Sequence, residues 1–240
     1  MNTNSGTAIL AGAGLALIAG SASAANLVVN GDFSAGNTGF TSGYALTTMT
    51  PYLFQGGVHG IYAVEAISAI PGSAAYGDWT NVTATPTGGQ GNAFVSDGPD
   101  NPTTAALPAW TETVSVKPNT TYTFSFYGAE VSNTCCSNAQ LQPIVDGDSG
   151  ASITPNGAWE QDVMTWNSGS STTATLEIFD RNDSGGFNDF ALDDISFTGA
   201  GVPEPATWAV MLVGFGALGA SLRRARRVAL ATARGPLTPR

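Results

Sequence analysis

Short segments of alternating polar and apolar residues between positions 26 and 200 constrain the fold more than any other feature of this chain. In the clearest, residues 120–127, Tyr122, Phe124 and Phe126 share one face and hydroxyl side chains the other, as in a strand with one buried face. Similar segments, each bounded by Gly, Asn, Asp or Ser, occupy residues 61–67, 92–96, 110–116, 140–145, 159–166, 173–179 and 190–197. No amphipathic helical window of useful length separates them, so the sequence predicts an all-β domain, an antiparallel β-sandwich.

A tight turn is predicted at Lys117-Pro118-Asn119, because proline presets its backbone angle and asparagine tolerates turn conformations. The strands that flank this turn, residues 110–117 and 120–127, are therefore expected to be neighbours in one sheet. The stretch over residues 76–108 is rich in Gly, Pro and Thr and is predicted to be the least regular part of the body.

Charge is distributed unevenly along the chain. Six of the 8 basic residues lie from Arg223 onward, which leaves Lys117 and Arg181 against 17 acids in the body, a formal charge of −15. Such a body repels phosphate backbones, so nucleic acid is not an expected partner. An acidic surface rich in Thr, Ser, Asn and Gly is typical of an exported β protein, and it attracts divalent cations.

Both ends of the chain have the composition of targeting segments. Residues 1–24 are predicted to be a signal peptide, because an apolar stretch over 8–19 precedes the small-x-small sequence Ala22-Ser23-Ala24. No Lys or Arg precedes that stretch, and a buried first helix is the alternative. An apolar run over 206–222 is predicted to be a transmembrane helix.

Arginines follow this run directly: Arg223, Arg224, Arg226 and Arg227. Because arginine resists crossing a bilayer, they are expected to stay cytoplasmic with a tail over 228–240, while everything N-terminal to the helix lies outside. An ordinary C-terminal membrane anchor would have the same arrangement.

The tail resembles the PEP-CTERM sorting signal of Gram-negative bacteria, in its Pro-Glu-Pro-x-x-Trp-Ala form. The matching residues are Pro203, Glu204, Pro205, Trp208 and Ala209, followed by the glycine-rich apolar core and the arginines. The resemblance implies that residues 202–227 direct export, transient insertion into the inner membrane and processing by an exosortase. Delivery to the cell surface or to the exopolysaccharide matrix of a biofilm would follow.

The body, residues 26–200, resembles the jelly-roll carbohydrate-binding and galactose-binding-like domains. The resemblance rests on residues 26–34, 117–127, 157–160 and 191–197. It implies that the first and last strands lie side by side, joined by a structural calcium whose ligands are the carbonyl of Asp32, the side chain of Ser34 and Asp193. Ser34 stands where the family usually has glutamate, which removes the best anionic ligand. The alternative is that the Asp193 carboxylate is satisfied by turn amides.

Catalysis has little support in the sequence, and no enzymatic activity is predicted. His59 is the single histidine, has no nucleophile motif around it, and is expected to be an isolated surface residue. Carboxylates such as Asp193 and Asp194 are adjacent in sequence, which does not place two acids across a cleft.

Binding has more support, because sugar rings stack on exposed aromatic faces that lie among polar side chains. The residues predicted to form such a site are Tyr76, Asp78, Trp79 and Trp110. The sequence therefore predicts an exported, exosortase-processed envelope or matrix protein with a carbohydrate-binding sandwich. A structural or adhesive matrix protein without a saccharide site is the alternative.

Cys135 and Cys136 are adjacent, so a disulfide between them would close a strained ring. In an oxidising compartment a vicinal disulfide, two free thiols and intermolecular bridges all remain open.

Overall fold

Two sheets pack against each other in the part of the chain that the computed structural model describes, which is residues 24–47, 59–69, 82–131, 138–184, 188–199 and 211–224. The strands in chain order are β1 (Ala45–Leu46), β2 (Ile61–Ala66), β3 (Asn92–Asp97), β4 (Trp110–Ser115), β5 (Thr121–Glu130), β6 (Leu141–Val145), β7 (Asp148–Ser149), β8 (Glu160–Asn167), β9 (Thr173–Asp180) and β10 (Phe190–Gly199). A short helix α1 (Pro102–Ala105) and a 3-10 turn (Ile67–Ala69) lie between strands.

The larger sheet has the strand order β1-β2-β3-β10-β5-β8, and the smaller has the order β4-β9-β6-β7. The strand pairs are antiparallel except for β1 with β2. This arrangement confirms the predicted all-β, two-sheet sandwich. These strands lie within a compact unit, Ala24–Ala200.

The core forms where the inner faces of the two sheets meet. Tyr122, Phe124 and Phe126 of β5 are buried on one face, as the alternation predicts. From the smaller sheet, Trp110 stacks on Phe124 with ring centroids 6.3 Å apart. On the neighbouring β10, Phe197 stacks on Tyr122 at 4.8 Å. Each buried aromatic side chain stabilises the fold by about 1.5–3 kcal/mol, so this layer holds the sheets together.

The predicted pairing of the strands around Lys117-Pro118-Asn119 is wrong, because β4 and β5 lie in opposite sheets. The turn crosses from one sheet to the other: the Lys117 N–H donates to the Tyr122 hydroxyl at 2.7 Å, and Asn119 adopts a left-handed conformation (φ 53°). Alternation along a strand fixes which face is buried but leaves its partner open. Here the two buried faces oppose each other across the core.

The N-terminal segment closes onto the last strand of the body. The Leu27 N–H donates to the Phe197 carbonyl at 2.9 Å, and the Asn26 side chain accepts from the Phe197 N–H at 2.9 Å. Further along, the Ile195 N–H donates to the Gly31 carbonyl at 2.8 Å. The first and last segments therefore lie side by side, as the resemblance to jelly-roll domains implies.

The C-terminal region is described only over residues 211–224, which form a helix. Among the described residues, no helix is both long enough and apolar enough to cross a membrane. The predicted signal peptide up to residue 23, residues 206–210 of the predicted transmembrane helix and the predicted tail over 228–240 lie outside the described residues.

Replacing Gly31 with alanine tests the closure of the N-terminal segment on β10. A Cβ at this position would overlap the carbonyl oxygen of Ile195, so the backbone pairing must shift. We expect Gly31→Ala to lower the free energy of unfolding by about 1–3 kcal/mol, measured by urea denaturation. The matched control is Gly91→Ala, whose Cβ would meet the nearest atom, the Thr85 methyl carbon, at an ordinary 3.4 Å. Equal stabilities of the two variants would contradict the closure.

Candidate functional site

The outer face of the smaller sheet gathers polar side chains from three adjacent strands. Along β4 and β9, Val114, Leu176 and Ile178 point into the core, so the residues between them face outward. We define the outer polar face as the surface formed by Thr113, Gln142, Thr175, Glu177, Phe179 and Arg181. It combines hydroxyls, an amide, a carboxylate and a guanidinium on one surface.

Arg181 is held in place on this face by two contacts. Its guanidinium carbon lies 4.0 Å from the centroid of the Phe179 ring, and its Nε donates to the Gln142 side-chain oxygen at 2.9 Å. One further N–H reaches the Ala105 carbonyl only at 3.5 Å. Because a guanidinium carries five N–H donors in a rigid fork, donors remain on an exposed side chain whose position is already fixed.

Glu177 of β9 provides a hydrogen-bond acceptor on the outer polar face. Burial raises the pKa of its carboxyl, while the nearby Arg181 lowers it. The hydroxyls of Thr113 and Thr175 lie 3.4 Å apart on neighbouring strands. The outer polar face thus presents fixed donors and acceptors, the groups that recognise hydroxyl-rich ligands.

Trp110 is not part of an exposed binding surface, contrary to the prediction. Only 1% of its surface is exposed, and it lies on the inner face of β4 against Phe124. The other residues of that predicted site, Tyr76, Asp78 and Trp79, lie outside the described residues. Within the described sandwich the least buried aromatic rings, those of Phe40, Tyr127 and Trp159, are half-buried. A fully exposed stacking platform is thus not found among the described residues of the sandwich.

The residues predicted to bind calcium lie near the closure of the N-terminal segment. Asp32 accepts hydrogen bonds from the backbone and hydroxyl of Ser34 at 3.2 and 2.8 Å. Asp193 is buried, and one of its oxygens accepts from the Asp194 N–H at 2.8 Å. Burial, with the charges of Asp194 and Asp32 adding to it, raises the pKa of Asp193 to about 7.

The structure thus places Asp32 within electrostatic reach of Asp193, while the Ser34 hydroxyl is directed at Asp32. Local turn amides hold an oxygen of each carboxylate, which favours the turn-amide alternative. Across the described ranges, no group of three or more His, Cys, Asp or Glu side chains has the arrangement of a metal site. Calcium binding here stays a prediction.

A second polar cluster, which sequence reasoning missed, lies at one end of the sandwich. We call it the acidic pole, and its members are His59, Asp97, Glu130, Asp180 and Asp189. The expectation that His59 is an isolated surface residue is wrong, because its Nδ1 lies 2.9 Å from a carboxylate oxygen of Asp97. The only sequence signal was that each acid stands at the end or just before the start of a strand.

The sorting motif is described only in part. Arg223 and Arg224 are exposed at the end of the described helix. The remaining residues of the predicted motif, Pro203, Glu204, Pro205, Trp208, Ala209, Arg226 and Arg227, lie outside the described residues, as do Cys135 and Cys136.

Comparison with known proteins identifies one family model and a set of similar folds. Residues 201–227 match the PEP-CTERM protein-sorting motif, which confirms that resemblance for the tail. No curated protein matches the sequence.

Solved structures similar to the chain have β-domain folds at low sequence identity. The Stig cyclase Fisc from Fischerella sp. TAU is 12% identical with a TM-score of 0.50, over 74% of this chain and 98% of its own. The CBM22-1 xylan-binding domain from Paenibacillus barcinonensis is 16% identical with a TM-score of 0.43, over 71% and 92%. A family 16 carbohydrate-binding module is 17% identical with a TM-score of 0.43, over 72% and 99%. At such identities the likeness concerns the fold alone.

Calcium binding at the predicted ligands can be tested directly. If Asp32, Ser34 and Asp193 hold calcium, adding Ca²⁺ to chelator-treated protein should raise its melting temperature, because a ligand bound only to the folded state stabilises it. We expect Asp193→Asn to abolish the increase and Asp148→Asn, an exposed acid on β7, to retain it. No heat in a calorimetric titration and no change in melting temperature of the unmutated protein would exclude the site.

Proposed function

We propose that this protein is exported and sorted through its PEP-CTERM motif, and that its sandwich binds a carbohydrate on the outer polar face. The match of residues 201–227 to the sorting motif supports export with exosortase processing, and an envelope or extracellular matrix destination. The observation that carries the binding proposal is the fixed position of Arg181, over Phe179 and bonded to Gln142, beside Glu177.

Preorganised polar groups suit a sugar ligand. A side chain that is already ordered loses little entropy on binding, so its hydrogen bonds contribute more to affinity. Arg181 provides donors and Glu177 an acceptor, while the Thr113 and Thr175 hydroxyls can do both. Vicinal hydroxyls of a sugar match this mixture of groups.

The charge of the body argues for a neutral or weakly charged glycan. Between residues 26 and 200 the chain has 17 acids and two bases, so a densely anionic polymer would be repelled. The guanidinium of Arg181 lies beside a carboxylate, which reduces its attraction for anions. We therefore expect neutral polysaccharides to bind more tightly than polyuronates.

The predicted aromatic residues Tyr76 and Trp79 lie outside the described residues, so the binding proposal rests on the outer polar face alone. A sorted spacer or adhesive protein without a saccharide site remains the competing function, and binding measurements on point variants distinguish the two.

Binding should depend on Arg181 and not on the other base of the body. We expect Arg181→Ala to weaken binding to a neutral soluble polysaccharide by about tenfold or more, since a charge-assisted hydrogen bond contributes roughly 1.5–3 kcal/mol. The matched control is Lys117→Ala, an exposed residue in the turn before β5, which should bind as tightly as the unmutated protein. Affinity electrophoresis and calorimetry with xylan, a soluble β-glucan and alginate would measure the effect.

Two outcomes would contradict the proposal. Equal affinities of the Arg181→Ala and Lys117→Ala variants would remove the outer polar face as the site. Absence of binding by the unmutated protein across neutral and anionic polysaccharides would favour the spacer function. The melting temperature of each variant shows whether a loss of binding reflects unfolding.

A further inference from the structure

The acidic pole forms where four strand ends meet. Asp97 ends β3, Glu130 ends β5 and Asp180 ends β9, while Asp189 immediately precedes β10. The antiparallel register places Phe190 opposite both Ser96 and Glu130, which brings the acids of three adjacent strands to the same end of the sheet. Four carboxyl groups from distant parts of the chain are therefore buried together, each at most 7% exposed.

Hydrogen bonds connect these groups to each other and to the neighbouring loops. Asp97 and Asp189 lie close enough for each carboxyl to affect the pKa of the other, and a hydrogen bond between two carboxyls requires a proton on one of them. His59 contacts the other side of the network through Asp97 at 2.9 Å. The Val131 N–H donates to the Asp189 carbonyl at 3.1 Å, so the backbone also ties β5 to the start of β10 at this point.

Asp180, at the end of β9, connects the smaller sheet to the acidic pole through hydrogen bonds. It accepts from the backbone N–H groups of Gln140 and Asn182 at 2.8 and 2.9 Å. The Asn188 side chain donates to Asp180 at 3.1 Å and to the Pro99 carbonyl at 2.9 Å. Asn188 is fully buried, so this amide links the loop after β3 to the end of β9.

Among the described residues, the surroundings of the pole supply little positive charge. The described titratable groups that face it are Tyr44, His59, Asp97, Asp100, Glu130, Asp180, Arg181 and Asp189. Of the two cationic candidates, Arg181 is directed at Phe179 and Gln142 on the outer polar face. Four buried carboxylates with one histidine cannot all be ionised without strong mutual repulsion.

We propose that the acidic pole is a proton-operated clamp, in which protonated carboxyl groups allow the ends of β3, β5 and β10 to pack together beside Asp180, and deprotonation loosens this end of the sandwich. In this proposal a hydrogen bond between the Asp97 and Asp189 carboxyls is the contact that needs the proton, and its loss leaves two like charges buried at the same end of the sheet. The clamp is independent of glycan binding on the outer polar face.

The direction of the pH dependence follows from the burial of these acids. Burial raises the pKa of Asp97 to about 6 and that of Asp180 to about 7. Burial, with the charges of Asp97 and Glu130 adding to it, raises the pKa of Asp189 well above its ordinary range. The folded protein thus holds protons more tightly than the unfolded chain. The stability contributed by Asp97 and Asp180 is complete below the ordinary aspartate pKa of about 4 and is lost as the pH rises through about 6–7. The stability contributed by Asp189 is lost in the same direction, as the pH rises through its raised pKa.

Thermal unfolding of the purified protein in chelator tests the clamp. We expect the melting temperature to fall by at least about 5 °C between about pH 5 and about pH 8, given the size of the chain. In Asp189→Asn a permanent amide donor replaces the proton, so the fall should be smaller by at least about 3 °C. The matched control is Asp183→Asn, an exposed acid of the same connection, which should keep the full fall.

A second measurement does not depend on the folding of a variant. Infrared spectra of the unmutated protein should show a protonated carboxyl band that weakens as the pH rises over the same interval. A melting temperature that is constant or rises from about pH 5 to about pH 8 would overturn the proposal. An unchanged fall in Asp189→Asn, or the absence of the protonated carboxyl band, would also overturn it.

Discussion

The structure of the body depends on the hydrogen bonding of β10 along both of its edges. β5 pairs with one edge over almost the whole strand. On the other edge β3 pairs with the first residues, and the N-terminal segment covers the last ones through Leu27 and Asn26. The final strand of the body is therefore an interior strand of the larger sheet, and its buried side chains, such as Phe197, complete the core. Without β10, the strands β3 and β5 have no hydrogen-bonded neighbour in common, so the larger sheet is complete only with this last strand.

In the completed sandwich, the side chains that stabilise the fold and the side chains available for function lie on different surfaces. The inner faces are occupied by aromatic and aliphatic side chains, so Trp110 serves the core. The side chains of the outer polar face are not part of the core between the sheets. Phe179, the aromatic residue of this face, packs against Arg181. The ends of the strands are a third environment, where the acidic pole buries charge at a cost that varies with pH.

The sequence predicts the faces of the strands better than their partners. The alternation of Tyr122, Phe124 and Phe126 identifies a buried face because hydrophobic burial acts on each strand separately. The pairing of β4 with β9 rather than β5 depends on the direction of the turn at Asn119, which local composition does not determine. The fold class was therefore accessible from the sequence, and the sheet order was not.

The candidate sites, too, could be predicted from the sequence only where they do not depend on contacts between distant residues. A tryptophan among polar neighbours, as at Trp110, has the same local sequence whether its ring faces water or the core. His59 and Asp97 are 38 positions apart, and only the pairing of β2 with β3 brings them together. Arg181 could be recognised as one of two bases in an acidic body, but its support by Phe179 and Gln142 requires the register of β6 and β9. The sorting motif was recognisable because its residues are contiguous.

If sorting acts only on the chain beyond β10, the exported body keeps this strand intact. The mass of the mature protein recovered from cells is the decisive measurement. We expect the mature chain to lack residues 1–24 and to end near Pro203-Glu204-Pro205, with Gly199 of β10 retained. A mature chain that still carries Arg223 and Arg224, or one that ends before Gly199, would contradict this mode of sorting.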